Sequence, residues 1–399
     1  MRKYMTGFGI LILVVTTIVG SAASQNSCDH PFEGVAIQFS NGFWQKTDFC
    51  QHSIDYADVL SGGPPPNGIP PIGFPAQEHL GMPALPDPKF ESIEGASSWL
   101  QPQSPVIALN LNDEARAYPL AILIWHEIVN DVIGDTPIAV TFCPLCNSSI
   151  VFERQVNGET LYFGTTGNLR NSDLIMWDDK SQSWWQQFTG EGIVGHYTGM
   201  MLTMLPSQVV GFAQFSQQYP DGQVLSRETG TSRSYGVNPY TAYDSSEQPF
   251  LYRGELDTRL PATARVLAAV IGGMPIAYPL ETLQSKIAIN DTVGGEDVVA
   301  LWQGGVASAL DSGQIDDGRD TGTAALYSRN LDGQVLTLTA GADGVIHDEQ
   351  TGSTWNAFGT AIEGELQGRQ LQQMLGALHF WFAWAAFQPD TGIYSEQSE

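Results

Sequence analysis

Short runs of apolar residues, many of them alternating with polar ones, recur along the chain and predict a β-rich protein. Residues 106–111 and 266–271 are two such mainly apolar runs, and each run leads to Tyr-Pro-Leu and a predicted short helical turn. Further strands are predicted near Ile128 and over residues 138–142. Two β-prone runs flank Asn157-Gly158, which is a strong hairpin signal because both residues accept the positive φ of a tight turn.

Two later segments of the chain predict helices. One covers residues 209–218 and the other covers residues 376–387. Together with the strands, these helices predict an α+β fold that is rich in β structure and has short helices. The same series of elements is predicted twice, once in each half of the body.

Several short sequences recur in the same order. The sequence Ala117-Tyr118-Pro119-Leu120 returns at residues 277–280, at an offset of 160 (277 − 117). Later matches drift to an offset of 170, as from Trp185 to Trp355 (355 − 185). Collinear matches with slowly drifting offsets indicate an internal duplication followed by small insertions. We interpret the chain as two diverged copies of one β-rich unit, packed as one body.

These patterns divide the chain into six parts. Dense Pro and Gly before residue 105 predict an irregular, extended leader, whereas the polar and Tyr-rich stretch after residue 228 predicts an ordered connection. The predicted parts are a signal peptide (1–23), a Pro- and Gly-rich leader (24–104), the first copy (105–228), the connection (229–264), a degenerate second copy (265–394) and a tail (395–399).

The N-terminus has the three-part pattern of a secretory signal peptide. Arg2 and Lys3 precede an apolar run over residues 8–19, and small residues ending at Ala23 follow it. Cleavage after Ala23 would release a secreted or periplasmic protein, and an uncleaved anchor is the alternative. No later segment has the roughly 20 uninterrupted apolar residues of a membrane helix, so we expect no membrane insertion beyond the signal.

The net charge excludes two classes of partner. The chain has 43 acidic and 17 basic residues, a formal net charge of −26, and 42% hydrophobic residues. The negative field repels nucleic acid and anionic lipid, while the apolar content is high enough for a large core. The sequence identifies no partner. In an exported protein, Cys28 and Cys50 are expected to form a disulfide.

The sequence Cys143-Pro-Leu-Cys146 is the main chemical signal. In an exported protein such a pair can bind metal, exchange disulfides or form a small structural disulfide. A thioredoxin-type pair opens a helix, whose dipole lowers the thiol pKa. Here a predicted strand precedes Cys143 and a β-prone segment follows Cys146. This setting favours a tight turn in which two thiolates face one metal ion.

Such a turn supplies two ligands, and a zinc-type site needs two more. The candidates are His126, which lies beside Glu127, together with Met176 and His379. Sulfur, imidazole and thioether ligands favour copper, and the same set with a carboxylate would suit zinc. Asp173, which follows a Gly-rich turn, is a candidate carboxylate, with a role in the turn or as a cap as the alternative.

The second copy lacks these candidate ligands. At an offset of about 160, Cys143 falls near Trp302 and Cys146 falls near Gly305. One copy is therefore expected to carry the chemistry and the other to serve as scaffold. We predict an extracytoplasmic metal-binding protein with a redox or metal-handling role. The alternatives are a thiol-disulfide oxidoreductase that uses the same cysteines and a β-rich binding module without enzymatic activity.

Several blocks of the sequence resemble one known family. Residues 125–131 and 141–148 contain Trp-His-Glu and Cys-Pro-Leu-Cys-Asn-Ser and are similar to the core of a prokaryotic family defined as a domain of unknown function, number 3179. Residues 167–174 and 379–387 are similar to its later blocks. The resemblance extends over roughly residues 100–394 and implies that the duplicated body is one folding module. It brings no catalytic role with it.

Overall fold

The computed structural model of the protein describes residues 42–395. The predicted signal peptide, the expected disulfide partner Cys28 of Cys50, and residues 396–399 lie outside the described part of the chain. Within that part, no helix combines the length and the apolar character that crossing a membrane requires. The signal peptide and the Cys28–Cys50 disulfide stay predictions.

Short strands dominate both halves of the described chain. The first half contains β1 (Val59–Ser61), β2 (Phe90–Ser92), α1 (Ile93–Ala96), β3 (Pro105–Leu111), β4 (Glu114–Pro119), α2 (Leu120–His126), β5 (Ile128–Ile133), β6 (Thr136–Cys143), β7 (Ser148–Glu153), β8 (Gln155–Val156), β9 (Glu159–Thr160), β10 (Phe163–Arg170), β11 (Asp173–Asp178), β12 (Trp184–Gln186), β13 (Gly192–Val194), β14 (Met204–Leu205), β15 (Gln208–Gly211), α3 (Phe212–Gln218) and β16 (Gln223–Leu225). The second half contains β17 (Arg265–Ile271), β18 (Met274–Pro279), α4 (Leu280–Lys286), β19 (Ala288–Val293), β20 (Glu296–Gln303), β21 (Thr323–Ser328), β22 (Asn330–Leu331), β23 (Gln334–Val335), β24 (Leu338–Ala340), β25 (Ile346–Asp348), β26 (Thr354–Trp355), β27 (Ala361–Glu363), β28 (Ala377–Phe380), α5 (Trp381–Phe387) and β29 (Gly392–Ile393).

The structure confirms the β-rich α+β class and the predicted strands. β3 contains the mainly apolar run 106–111, and β6 contains the run 138–142. Asn157 and Gly158 form the two-residue turn between β8 and β9, and both have positive φ (51° and 84°). These are the backbone angles that Asn-Gly provides at low cost in a hairpin.

The two halves have the same order of paired elements. The sheets of the first half are β15-β3-β4-β16-β2, β14-β7-β6-β5 and β1-β10-β11-β12-β13. The second half has β28-β17-β18-β29, β19-β20-β21 and β24-β25-β26-β27. The registers also agree, because Val106 lies opposite Pro119 in the pair β3–β4 and Val266 lies opposite Pro279 in the pair β17–β18. A short helix, α2 or α4, follows each of these prolines.

The two later helices begin further along the chain than the sequence predicted. α3 begins at Phe212 and not at residue 209, and α5 begins at Trp381 and not at residue 376. The residues before them form β15 and β28, which pair with β3 and β17. The β-branched pair Val209-Val210 suits a strand, and the neighbouring strand offers it backbone partners that a local pattern does not reveal.

One apolar core extends through both halves. The largest cluster of buried side chains joins Ile107, Phe142 and Trp185 of the first half to Val266 and Trp381 of the second. Removal of this much apolar surface from water is the main force that holds a core together. The described halves therefore pack as one body.

The leader is more closely packed than its composition predicted. Its residues Trp44, Val59 and Phe74 are buried against Trp177 and Trp184 of the first half. β1 pairs with β10, and β2 pairs with β16. The described leader residues therefore complete the sheets and the core of the first half instead of forming a separate extended segment.

The connection between the halves packs beside the Cys-Pro-Leu-Cys turn. Its buried Asp244 forms ion pairs with Arg265 (3.0 Å) and Arg319 (2.8 Å) of the second half. Burial opposes ionisation of Asp244, but the two guanidinium groups outweigh it and lower its pKa. Tyr240 and Tyr243 pack against the core cluster that contains both cysteines. The connection thus closes the site on one side.

Candidate metal centre

The Cys-Pro-Leu-Cys sequence forms a tight turn between two strands, as the sequence predicted. Cys143 ends β6, and Ser148 opposite it opens β7. Asn147 has a positive φ of 48°, and its N–H donates to the carbonyl of Pro144 at 3.2 Å. Asn accepts this left-handed conformation more readily than most residues do. The turn therefore brings Cys143 and Cys146 together without the help of a following helix.

A third acidic side chain joins the two thiols. Asp173 opens β11, directly after Asn171 and Ser172, which both have positive φ (53° and 65°). The Sγ atoms of Cys143 and Cys146 and a carboxylate oxygen of Asp173 all lie within 4.8 Å of one another, and all three residues are buried. No other group of three among the described His, Cys, Asp and Glu residues meets this criterion. We call these three residues the Cys–Cys–Asp cluster.

N–H groups donate to only one of the two carboxylate oxygens of Asp173. Oδ2 accepts from Gln186 Nε2 at 2.7 Å and from the N–H of Phe188 at 2.9 Å. Oδ1 is buried and accepts from no N–H or O–H group, and the other polar groups that face the carboxylate are the two thiols. Burial raises the pKa of Asp173 to about 7, and the hydrogen bonds from Gln186, from the N–H of Phe188 and from the two thiols oppose this shift only in part. A buried carboxylate oxygen without a partner is costly unless a cation meets it.

The two cysteines are not joined by a disulfide. Both thiols donate to the carbonyl of Ser172, at 3.8 Å from Cys143 Sγ and 3.5 Å from Cys146 Sγ. Burial is the main cause that raises the pKa of both thiols, and the charge of Asp173 adds to it. Reactive redox cysteines have the opposite environment, in which positive charge or a helix N-terminus lowers the thiol pKa.

Glu127 adds a fourth acidic group at the same place. It follows α2 with a positive φ of 59°, and its carbonyl accepts the N–H of Phe142 at 2.8 Å. Burial, followed by the charge of Asp173, raises the pKa of Glu127 to about 8. The charged neighbours that act most strongly on Glu127 and on both thiols are themselves acidic. Such a concentration of buried acidic groups is the environment that a metal ion stabilises.

The structure does not bring His126 into the cluster, although the sequence predicted it as a ligand. Its Nδ1 lies 2.6 Å from the carbonyl of Pro70, and its Nε2 lies 2.7 Å from the hydroxyl of Tyr235. Burial lowers the pKa of His126 to about 4. α2 ends at His126, and the chain turns with positive φ at the next residue, so that Glu127 and not His126 acts electrostatically on the cysteines.

The other two predicted ligands have different surroundings. Met176 is fully buried in β11, where it lies opposite Trp185 in the main core. His379 is buried in β28, with its ring 4.5 Å from that of Phe188 and 5.8 Å from that of Trp384 between centroids. His379 is not among the three residues whose ligand atoms lie within 4.8 Å of one another. A ligand role for Met176 or His379 stays a prediction.

Asp173 and Glu127 are the two residues of the site that the sequence indicated least clearly. Asp173 follows a Gly-rich turn, which suggested a turn role, and Glu127 adjoins a more conspicuous histidine. Glu127 also stands in an apolar stretch between Ile124 and Ile128. An acidic residue at such a position is seldom buried without a partner. Its apolar neighbours are therefore the sequence signal that could have identified Glu127 as a residue of the site.

The fold and the cluster define a β-rich α+β protein with a buried Cys–Cys–Asp cluster in one of two similar halves. The model of one protein family, described as a protein of unknown function (DUF3179), matches residues 79–391. The chain therefore belongs to this family, as the resemblance of its sequence blocks predicted. Comparison with curated proteins gave no match, and comparison with solved structures gave none.

Proposed function

We propose that Cys143, Cys146 and Asp173 bind a metal ion. The observation that carries this proposal is the approach of two thiols and a carboxylate within 4.8 Å in a fully buried setting. Asp173 Oδ1 supports it, because no N–H or O–H group donates to this buried oxygen and an ion would supply a strong interaction. The raised pKa values of the thiols and of Glu127 support it as well, since a cation would lower all of them.

Zinc is the ion that we propose first. Copper was favoured by the ligand set with His126 and Met176, but the residues that come together are two thiols and a carboxylate. Cysteine sulfur and carboxylate oxygen are both ordinary zinc ligands. Copper is the second choice, and it would gain support if Met176 or His379 took part.

The ligand number favours a catalytic type of centre. Structural zinc sites have four protein ligands, whereas catalytic sites have three and leave one position for water or substrate. A bound zinc ion would supply Lewis acidity at that position. Gln186 and the Phe188 N–H orient Asp173, and Glu127 is the nearby residue suited to hold or release a proton. We accordingly propose a metal-dependent activity outside the cytoplasm, where the signal-peptide pattern would direct the chain.

We also propose that the two halves are diverged copies of one unit. The collinear sequence matches support this, and so do the shared strand order and the registers at Pro119 and Pro279. One copy would then have kept or acquired the metal ligands, while the other serves as scaffold.

The metal content of the exported full-length protein tests the metal proposal. After loading with zinc and dialysis, we expect about one zinc ion per chain in the wild type and a loss of at least about tenfold in Cys143→Ser and Cys146→Ser. Asp173→Asn is expected to weaken zinc binding by about 10- to 100-fold. The matched control is Asp343→Asn in an exposed turn of the second half, which should bind as the wild type does.

Cobalt provides a second readout of the same ligands. Substitution with Co²⁺ should give a near-ultraviolet charge-transfer band from thiolate to metal, absent in Cys143→Ser. A wild-type protein that takes up neither zinc, cobalt nor copper would overturn the proposal. Uptake that is equal in the wild type and in both serine variants would place the metal at a different site.

A thiol-disulfide function is the second candidate, and the close approach of the two Sγ atoms favours it. Its test is the reduction potential of the Cys143–Cys146 pair in metal-free protein. A value well above about −300 mV would support exchange chemistry, and a lower value would indicate a structural bond. The raised pKa of both thiols argues for metal binding over exchange.

A further inference from the structure

An apolar cavity of about 500 Å³ opens where the two halves meet. Ile150, Phe188 and Met204 line it from the first half, and Val270, His379 and Trp384 line it from the second. Its volume lies in the range of cavities that bind small molecules. The Cys–Cys–Asp cluster does not line this cavity, which we call the His379 cavity.

The rim of the His379 cavity exposes large apolar side chains. Met201, Val270 and Leu375 are 57%, 50% and 47% exposed, and all three line the cavity. Exposed apolar side chains that converge on one opening are typical of binding sites, whereas isolated ones are common on any surface. The rim therefore indicates a ligand that covers apolar surface.

His379 supplies a polar group in this apolar setting. It is only 3% exposed, it lies against Phe188 and Trp384, and its Nδ1 has no hydrogen-bond partner. Burial lowers the pKa of His379 to about 3, which keeps the ring neutral, with one nitrogen as donor and the other as acceptor. His379 lines the cavity, so its neutral ring can serve as the hydrogen-bonding partner of a ligand that lies there.

The charge of the lining restricts the ligand further. The lining contains no Lys, Arg or Asp, and Glu191 is its one charged residue. Ser53 Oγ donates to the Glu191 carboxylate at 2.9 Å. An anion would meet the carboxylate of Glu191, and the guanidinium group of Arg170, which lies 5.6 Å from the centroid of the Phe387 ring, is not part of the lining. The lining therefore disfavours an anion.

We propose that the His379 cavity binds an uncharged, mainly apolar small molecule that carries one hydrogen-bonding group for His379. The ligand lies among the aromatic rings of Phe188, Trp384 and Phe387, which suit a planar or ring-containing molecule. The proposal does not depend on the metal centre. The two sites are nevertheless adjacent through the backbone, because Phe188 donates its N–H to Asp173 Oδ2 and Phe380 donates its N–H to the carbonyl of Cys146.

Binding of a pair of fluorescent probes to the full-length protein tests this proposal. Aminoanthracene is neutral and has an N–H group, whereas anthracene has the same ring system without it. We expect saturable binding of both probes with enhanced fluorescence. His379→Phe keeps a ring but removes its nitrogens. This variant should weaken the binding of aminoanthracene by about five- to tenfold and leave the binding of anthracene nearly unchanged.

A second variant tests the position of the probes without using His379. Ala377→Trp places a large ring in the cavity and should weaken both probes by at least about tenfold. Ala213→Trp on the exposed side of α3 is the matched control and should bind both as the wild type does. Circular dichroism checks that each variant is folded.

Three outcomes would overturn the proposal. They are no saturable binding by the wild type, equal binding by Ala377→Trp and wild type, or binding that falls as the protein concentration rises. The last result would show that a second copy of the chain covers the cavity. Equal loss of both probes in His379→Phe would remove the hydrogen-bonding role and leave a purely apolar cavity.

Discussion

The two halves of the molecule share a framework but not a chemistry. Tyr118 donates to Asp131 Oδ2 at 2.6 Å in the first half, and Tyr278 donates to Asp291 Oδ2 at 3.0 Å in the second. The indole N–H groups of Trp185 and Trp355 also donate to aspartates, each at 3.0 Å. Matching hydrogen bonds therefore stabilise corresponding turns and strands in the two halves.

Among the described residues, the Cys–Cys–Asp cluster and the neighbouring Glu127 belong to the first half alone. β6 ends at Cys143, whereas β20 ends at Gln303, and α2 is followed by Glu127, whereas α4 is followed by Ile287. Both residues after the helices have positive φ (59° and 65°), so the backbone is alike although the side chains differ. The difference teaches that the framework needs neither the two thiols nor the buried carboxyl groups of Asp173 and Glu127.

The largest expected change in the free energy of unfolding comes from metal binding by the first half. If zinc at about 1,000 times its dissociation constant binds only the folded state, it should add about 4 kcal/mol to the free energy of unfolding. Cys143→Ser should abolish this gain. Denaturant unfolding with zinc and with a chelator measures it. An equal zinc effect in Cys143→Ser and in the wild type would contradict a role for the cluster.

The next effect is a pH dependence of the free energy of unfolding of the metal-free protein. Asp173 and Glu127 have folded-state pKa values of about 7 and about 8, above their unfolded values of about 3.9 and 4.3. The folded state therefore binds more protons than the unfolded chain between these values. The stabilising contribution is complete below about pH 4 and is lost as the pH rises through about 7 and 8.

The loss of stability on this rise in pH should be on the order of 4 kcal/mol for one of the two groups alone, since one pKa unit corresponds to about 1.4 kcal/mol. Coupling prevents the two contributions from adding in full. Urea unfolding of chelated protein at a series of pH values measures it. Glu127→Gln should flatten the profile, and Asp343→Asn in the second half should leave it unchanged. Stability that rises over the same interval would show that these carboxyl groups are not buried as acids.

A pair of substitutions in the framework should have matching effects. Trp185→Phe and Trp355→Phe each remove an indole N–H that donates to a buried aspartate, Asp178 or Asp348. We expect a loss of about 2 kcal/mol in the free energy of unfolding for each. A large effect in the first half with none in the second would mean that the shared framework is not equally important in both.

The smallest effect is expected at the end of β20. Gln303 is exposed and holds the position at which the first half has Cys143. Gln303→Ser should change the free energy of unfolding by less than about 0.5 kcal/mol and should not alter zinc binding. A loss of metal in this variant would mean that the second half contributes to the centre.

Local patterns were sufficient for the strands and for the turn that holds the cysteines. Short apolar runs predicted β3 and β17, Asn157-Gly158 predicted the hairpin turn, and Cys-Pro-Leu-Cys predicted a tight turn between strands. Each of these features depends on neighbours within a few residues. For that reason they are visible before any long-range contact is known.

Long-range pairing decided the remaining features. Val209-Val210 is a strand because β3 lies beside it, and His126 is hydrogen-bonded because Pro70 and Tyr235 reach it from distant parts of the chain. The sequence by itself determined most of the element types, the repeated order of short sequences and the pair of cysteines. Only the tertiary structure decided that Asp173 completes the Cys–Cys–Asp cluster and that Glu127 acts on it electrostatically, because burial and proximity, which set their pKa values, come from residues far apart in sequence.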